Sequence, residues 1–140
     1  MNSEGFDLER FVSAQDPVYP QVLKELGAGA KTSHWMWFVF PQLKQLGRSA
    51  TAQHFGISSR AEAVAYWRHP VLGPRLVECT ELLLAVPGRS AHQILGSPDD
   101  LKLRSSLTLF ALVAPDEPVF QAGLEKFFDG RNDPNTVDLL

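Results

Sequence analysis

SPDDLKLRSSLTLFALVAP, residues 97–115, is the stretch whose reading decides the fold. Ser97 is an N-cap type, Pro98 suits the first helical position, and Asp99 and Asp100 place negative charge in the first turn, where they meet orphan amides and the positive end of the helix dipole. The spacing predicts one helix from there to about Ala114, stopped by Pro115. On such a helix Lys102 and Ser106 stand one turn apart, Leu109 and Val113 continue the same face, and Ser105 and Thr108 flank it. A face that passes from polar to apolar suits a pocket floor whose deep end is core. A helix dipping under its neighbours gives the same pattern.

Working outward, Ser90 with Gln93 and Ser59 with Glu62 each match the Ser-x-x-Glu/Gln capping box. They predict a short helix through AHQIL, ended by Gly96, and another through RAEAVAYWR. Between them PRLVECTELLLAVP carries Leu76, Thr80 and Leu83 on one helical face, with Val77 and Leu84 beside it, before Pro87 and Gly88 break the pattern. Its second half, LLLAV, is apolar all round and is expected to be central. FDLERFVSAQ and PQVLKELG read as two short helices, and EPVFQAGLEKFFDG sets Phe120, Leu124 and Phe127 on a stripe that closes at Gly130. No strand alternation and no Asn-Gly hairpin is present. The fold class is therefore all-α: a compact multihelical single domain, residues 1–140, with a buried central helix, a core over about 7–130 and a polar C-terminal tail at 131–140.

The ambiguous stretch is KTSHWMWFVFPQ, residues 31–42. Six bulky apolar residues in a row at 35–40 show neither a period of 2 nor one of 3.6, so a short buried helix and a buried extended strand both fit, and the helical neighbours favour a buried helix stopped before Pro41. A helix starting near Ser33 would offer free amides, which with Lys31 and Ser33 make an anion site, and His34 beside them is a candidate acid/base. The alternative is that Ser33 is only a cap, Lys31 is solvated and His34 is a hydrogen-bonded core residue.

Composition narrows the functional classes. The chain is 44% hydrophobic and 21% charged with a formal net charge of -3, ordinary for a globular protein and without the basic field that holds nucleic acid by counterion release. A single cysteine, Cys79 in RLVECTELLLAV, cannot form an internal disulfide and is expected in the core, so a cytoplasmic setting is expected. The N-terminus MNSEGFDLERF lacks a basic, apolar leader, and no apolar run approaches the ~20 residues of a bilayer span. No membrane and no nucleic-acid partner is expected.

There is no Gly-x-Gly-x-x-Gly, Walker loop, Gly-x-Ser-x-Gly elbow or His-Glu-x-x-His, and hence no expected cofactor. His54, His69 and His92 lack zinc spacing, and DGRNDPNTVD does not match an EF-hand loop, so no metal is expected. Arg75 is a candidate anion holder or a partner of Glu78 or Glu81. The tail gathers Asp133 and Thr136 among turn-forming residues.

The blocks at 31–43 (KTSHWMWFVFPQL), 65–79 (AYWRHPVLGPRLVEC), 95–111 (LGSPDDLKLRSSLTLFA) and 130–140 (GRNDPNTVDLL) together resemble the bacterial domain-of-unknown-function family 1810, sometimes labelled calpastatin-like. The resemblance runs from about Asp7 to Leu139. The label does not fit, because a calpain inhibitor is a disordered, proline- and lysine-rich repeat whereas this chain reads as packed. The resemblance implies an all-α fold of uncharacterised activity, and its blocks contain Lys31, Ser33, His34, Trp35, Trp37, Gln42, Lys102, Ser105, Ser106, Asp133 and Thr136. In layout, though not in a shared catalytic motif, the chain is also similar to NADAR domains, which are linked to ADP-ribose and N-glycosidic chemistry.

Polar residues drawn from three distant segments are most simply explained by one pocket for a small anionic molecule of the nucleotide or ADP-ribose kind. Trp35 and Trp37 would wall it, Lys31 and Lys102 supply charge, Ser33, Gln42, Ser105, Ser106 and Thr136 hydrogen bonds, and His34 and Asp133 proton transfer in an N-glycosidic or ADP-ribosyl hydrolysis. The competing expectation is a non-enzymatic protein-interaction module in which the aromatic block is only core.

Overall fold

The computed structural model describes residues 5–140. Ten α-helices follow one another: α1 Glu9–Gln15, α2 Tyr19–Ala28, α3 Met36–Val39, α4 Ala50–Phe55, α5 Arg60–Arg68, α6 Leu72–Ala85, α7 Ala91–Leu95, α8 Asp99–Val113, α9 Pro118–Phe128 and α10 Pro134–Leu139, with a 3-10 turn at Lys44–Leu46. Among the described residues the one β-type pairing is an isolated parallel bridge between Leu43 and Ile57. The fold is all-α.

Local signals act where they were read, with instructive exceptions. Ser90 and Gln93 form the complete reciprocal capping box of α7. At α5 the Ser59 hydroxyl accepts from the Glu62 amide, but the Glu62 side chain turns away from the cap to accept from the Ser58 amide and to pair with Arg10 at 2.9 Å. The box is half built because a distant cation competes for its carboxylate. Helix α8 begins at Asp99 with Pro98 at its N-cap position and no side-chain bond there, so Ser97 is not the cap. The apolar block at 35–40 is a helix of only four residues, α3, with Trp35, Met36, Val39 and Phe40 all buried.

The central helix is α8, not the second half of α6. Helix α8 packs on α5, α7, α9 and α10 and buries Leu103 and every residue from Ser105 to Phe110. Leu82 and Leu84 of α6 are only partly buried and Ala85 is exposed. The sequence of α8 hides its centrality because Ser105 and Thr108 look polar. In the helix the Thr108 hydroxyl donates to the Arg104 carbonyl one turn back and the Ser105 hydroxyl proton is shared between the Leu101 carbonyl and Asp133, so both are buried with partners. Rings stack around it in a chain, Phe11 on Tyr66, Tyr66 on Phe110 and Phe110 on Phe120, at centroid separations of 5.0–5.9 Å. Where α6 begins beneath the end of α5, Gly73 is required: a β-carbon there would lie 2.2 Å from the Trp67 carbonyl oxygen.

Within the C-terminal segment 131–140, residues Pro134–Leu139 form α10. Asp133 caps α10, and Thr136 is completely buried against α8.

Candidate functional site

The loop after α2 is organised around one carboxylate. Helix α2 ends at Gly29 in the left-handed conformation, φ 69°, and Glu25, which shares the buried face of Val22 and Leu26, is 4% exposed. Its oxygens accept from the amides of Thr32 (2.8 Å) and Ser33 (3.0 Å), the Ser33 hydroxyl (2.5 Å), the Trp35 indole nitrogen (2.9 Å) and Gln21 (2.8 Å). Burial works to raise the Glu25 pKa, but the hydrogen bonds from Ser33, Gln21, Thr32 and Trp35 together outweigh it and hold the carboxyl well below the usual range. The amides predicted to greet an external anion near Ser33 thus already hold an internal one. Glu25 was missed from sequence; the available signal was an acidic residue falling on the Val22/Leu26 apolar stripe.

From this loop Lys31 reaches α8. Its ammonium lies 2.8 Å from one Asp99 oxygen, and Lys102 lies 3.2 Å from the other. Each lysine also stands over an indole, Lys31 at 5.1 Å from the Trp35 ring centre and Lys102 at 3.5 Å from that of Trp37. One carboxylate therefore fixes two cations and, through them, two tryptophans.

A cleft of about 570 Å³ opens beyond Lys102, between the segment at 42–49, the first half of α8 and the start of α10. It brings together Trp37, Gln42, Lys102, Ser105 and Asp133. Lys31, Ser33, Trp35, Ser106 and Thr136 are not on its wall: Lys31 is held by Asp99, Ser33 and Trp35 by Glu25, and the Thr136 hydroxyl donates to Asp133 at 2.6 Å. Ser106 is 1% exposed, and its hydroxyl has no partner. His34 is exposed on the loop, outside the cleft, with no hydrogen bond or ion pair.

Sequence reasoning did not single out Arg48, Arg104 and Asn135, which also line the wall. Arg104 donates to the carbonyls of Arg131 and Asn132 at 3.0 and 2.7 Å, pinning the turn before α10 to α8. Arg48 is exposed and unpaired, and the side-chain amides of Gln42 and Asn135 make no protein hydrogen bonds. No motif marks these residues, since they meet only when the 42–49 segment and α10 both pack against α8. Three cationic side chains face one acidic one in this cleft, although the whole chain carries a net charge of -3.

That acidic residue, Asp133, is oriented. Its Oδ2 accepts from the Thr136 amide (3.0 Å), the Thr136 hydroxyl (2.6 Å) and the Ser105 hydroxyl (3.3 Å), and its own amide donates to Thr108 at 2.9 Å. Its Oδ1 makes no protein hydrogen bond.

Other candidates resolve differently. Arg75 pairs with Asp16 at 2.9 Å and covers the Tyr19 ring, while Glu78 accepts from the Tyr19 hydroxyl at 2.5 Å. Cys79 is buried beside Tyr19, and burial pushes its thiol up to about 12. Among the described residues no group of three or more His, Cys, Asp or Glu is placed to hold a metal ion, and no helix is long and apolar enough to cross a membrane.

A family model described as "protein of unknown function (DUF1810)" matches residues 5–140. The crystal structure of the conserved hypothetical protein Rv1873 from Mycobacterium tuberculosis superposes with a TM-score of 0.95 at 57% sequence identity, covering 96% of each chain. A search of curated proteins gives no significant match.

Proposed function

Because the chain belongs to the DUF1810 family, whose description names no activity, its function has to be argued from the cleft, and we propose that the cleft binds a small anionic ligand carrying a flat ring. One observation carries the reading: Arg48, Lys102 and Arg104 converge beside a partly exposed tryptophan, Trp37, in a chain that is acidic overall. A phosphate or carboxylate matches Arg48, Lys102 and the free amides of Gln42 and Asn135, and an aromatic base matches the indole. Nucleotides and ADP-ribose combine both features. Of the expected ligand-binding residues, Trp37, Gln42, Lys102 and Ser105 belong to this reading directly. Thr136 supports it one step back by orienting Asp133, Lys31 shares Asp99 with Lys102, and Ser33 and Trp35, bonded to Glu25, take no direct part.

Asp133 favours a reaction at the site. A carboxylate held through one oxygen by three donors, with the other oxygen unbonded, is positioned to accept a proton from a water attacking an N-glycosidic or ADP-ribosyl bond. His34 takes no part in this proposal.

The test is a thermal-shift and calorimetric screen of the wild type, Arg48→Ala, Lys102→Ala and Trp37→Ala against nucleoside phosphates, ADP-ribose, NAD and sugar phosphates. A ligand at 100 times its dissociation constant adds about 2.7 kcal/mol, which at ~2.1 cal/mol/K of unfolding entropy per residue raises Tm by about 9 °C. The shift is expected in the wild type and lost in Arg48→Ala, whose exposed side chain has no structural partner to miss. Absence of any shift, or a shift that all three variants retain, overturns the reading. Asp133→Asn that binds the same ligand but does not turn it over would support the proton-accepting role.

A further inference from the structure

The opposite end of α8 borders a surface of contrary character. Around Trp67, which is partly exposed with its ring edge-on to Phe120 at 5.5 Å, three depressions of about 610, 380 and 460 Å³ adjoin one another. The first two share Trp67 and Arg68, the first and third share Glu81, and the second and third share Glu117, so they neighbour one another along a grooved face that runs from α5 across α6 to the start of α9. Its lining includes the apolar side chains of Trp67, Val77, Leu84, Val113 and Val119.

The rim of this groove is acidic. Glu78, Glu81, Asp116 and Glu117 line it against a single arginine, Arg68. Glu78 is engaged by Tyr19, and Glu117 accepts from the Val119 amide at the start of α9. Glu81 and Asp116 are exposed and have no hydrogen bond or ion pair. Two neighbouring cations outside the lining are spent on backbone: Arg60 donates to the Leu112 carbonyl, and Lys126 to those of Leu84 and Val86. Pro70, Pro74, Pro115 and Pro118 stiffen the edges and carry no amide hydrogen, so an occupant is held by its side chains and not by strand pairing.

We propose that this groove docks an apolar segment of a partner protein that carries lysine or arginine, with Trp67 as the anchor and Glu81 and Asp116 receiving the basic side chains. Charge complementarity selects this occupant. An anionic metabolite or a nucleic acid meets four carboxylates, and an uncharged peptide leaves Glu81 and Asp116 partly desolvated without a partner. The site is separate from the cationic cleft and does not depend on what that cleft binds.

The probe is a fluorescein-labelled amphipathic leucine–lysine peptide, with the matching leucine–glutamate peptide as its control, followed by anisotropy on the full chain at low and high salt. The wild type is expected to bind the lysine peptide alone, more weakly at high salt. Glu81→Lys/Asp116→Lys is expected to weaken that binding by about tenfold or more, as reversal of two rim charges does. Glu9→Lys/Asp138→Lys changes the net charge equally at exposed positions outside the groove and is expected to leave binding unchanged. No binding, or equal weakening in both double variants, overturns the proposal, the second because it reports only diffuse attraction. Sedimentation that shows a dimer abolished by Glu81→Lys/Asp116→Lys also overturns it, by making a second copy of this chain the occupant.

Discussion

Replacing Glu25 with glutamine tests the idea that an internal carboxylate organises the loop that carries the tryptophans. Glutamine keeps the shape and one carbonyl oxygen, so the amides of Thr32 and Ser33 and the Trp35 indole retain an acceptor at 2.8–3.0 Å. What they lose is charge. A hydrogen bond to a charged group contributes about 1.5–3 kcal/mol and a neutral one about 0.5–1.5, a difference of about 1 kcal/mol for each of three bonds. Thr32 is exposed and can turn to water, which brings the expected destabilisation to about 2–3 kcal/mol, or a Tm lower by about 7–10 °C. Glu25→Ala also leaves the buried Trp35 nitrogen without an acceptor and should cost about 4–5 kcal/mol.

The pH dependence separates this account from a general packing defect. The folded-state pKa of Glu25 is lowered, so the unfolded chain binds the proton more readily. The contribution of Glu25 to stability is therefore complete above the unfolded carboxyl pKa of ~4.3 and is lost as pH falls below it toward the folded value. Urea unfolding of wild type and Glu25→Gln at pH 6, 5, 4 and 3 should show a gap that is constant in the upper half of this series and narrows below it. A gap that stays the same down to pH 3, or no gap at pH 6, refutes the reasoning.

Two further outcomes follow from buried groups elsewhere. Arg10 ties α1 to the entry of α5 through Glu62 (2.9 Å) and the carbonyls of His54 (2.8 Å) and Gly56 (3.0 Å), so Arg10→Ala strands a buried carboxylate and should cost about 3 kcal/mol in chemical denaturation. Adding Glu62→Gln should recover part of that loss, and a double variant as weak as the sum of the singles would contradict the pairing. Cys79 is buried with its thiol pushed up to about 12, so little thiolate exists at pH 8. Iodoacetamide should leave the native protein unmodified by mass spectrometry and alkylate it once in denaturant; rapid labelling of the folded chain would mean that Cys79 is accessible.

What the sequence determined alone was the helical plan. Caps at Ser59 and Ser90, the stripes Leu76–Thr80–Leu83 and Phe120–Leu124, and the breaks at Pro87, Gly96 and Pro115 are local signals, and local hydrogen bonding and periodicity are settled within one or two turns. Tertiary packing decided the rest. Whether LLLAV or RSSLTLF becomes central depends on how many helices surround each, which no periodicity records. Whether Ser33 greets a ligand or closes on Glu25 depends on a carboxylate one helix away. Arg48, Arg104 and Asn135 carry no motif and join Trp37 and Lys102 only when the 42–49 segment and α10 both pack against α8. A site assembled from long-range contacts leaves its single residues looking like ordinary surface, because the field and the shape that give them a function exist only between the segments.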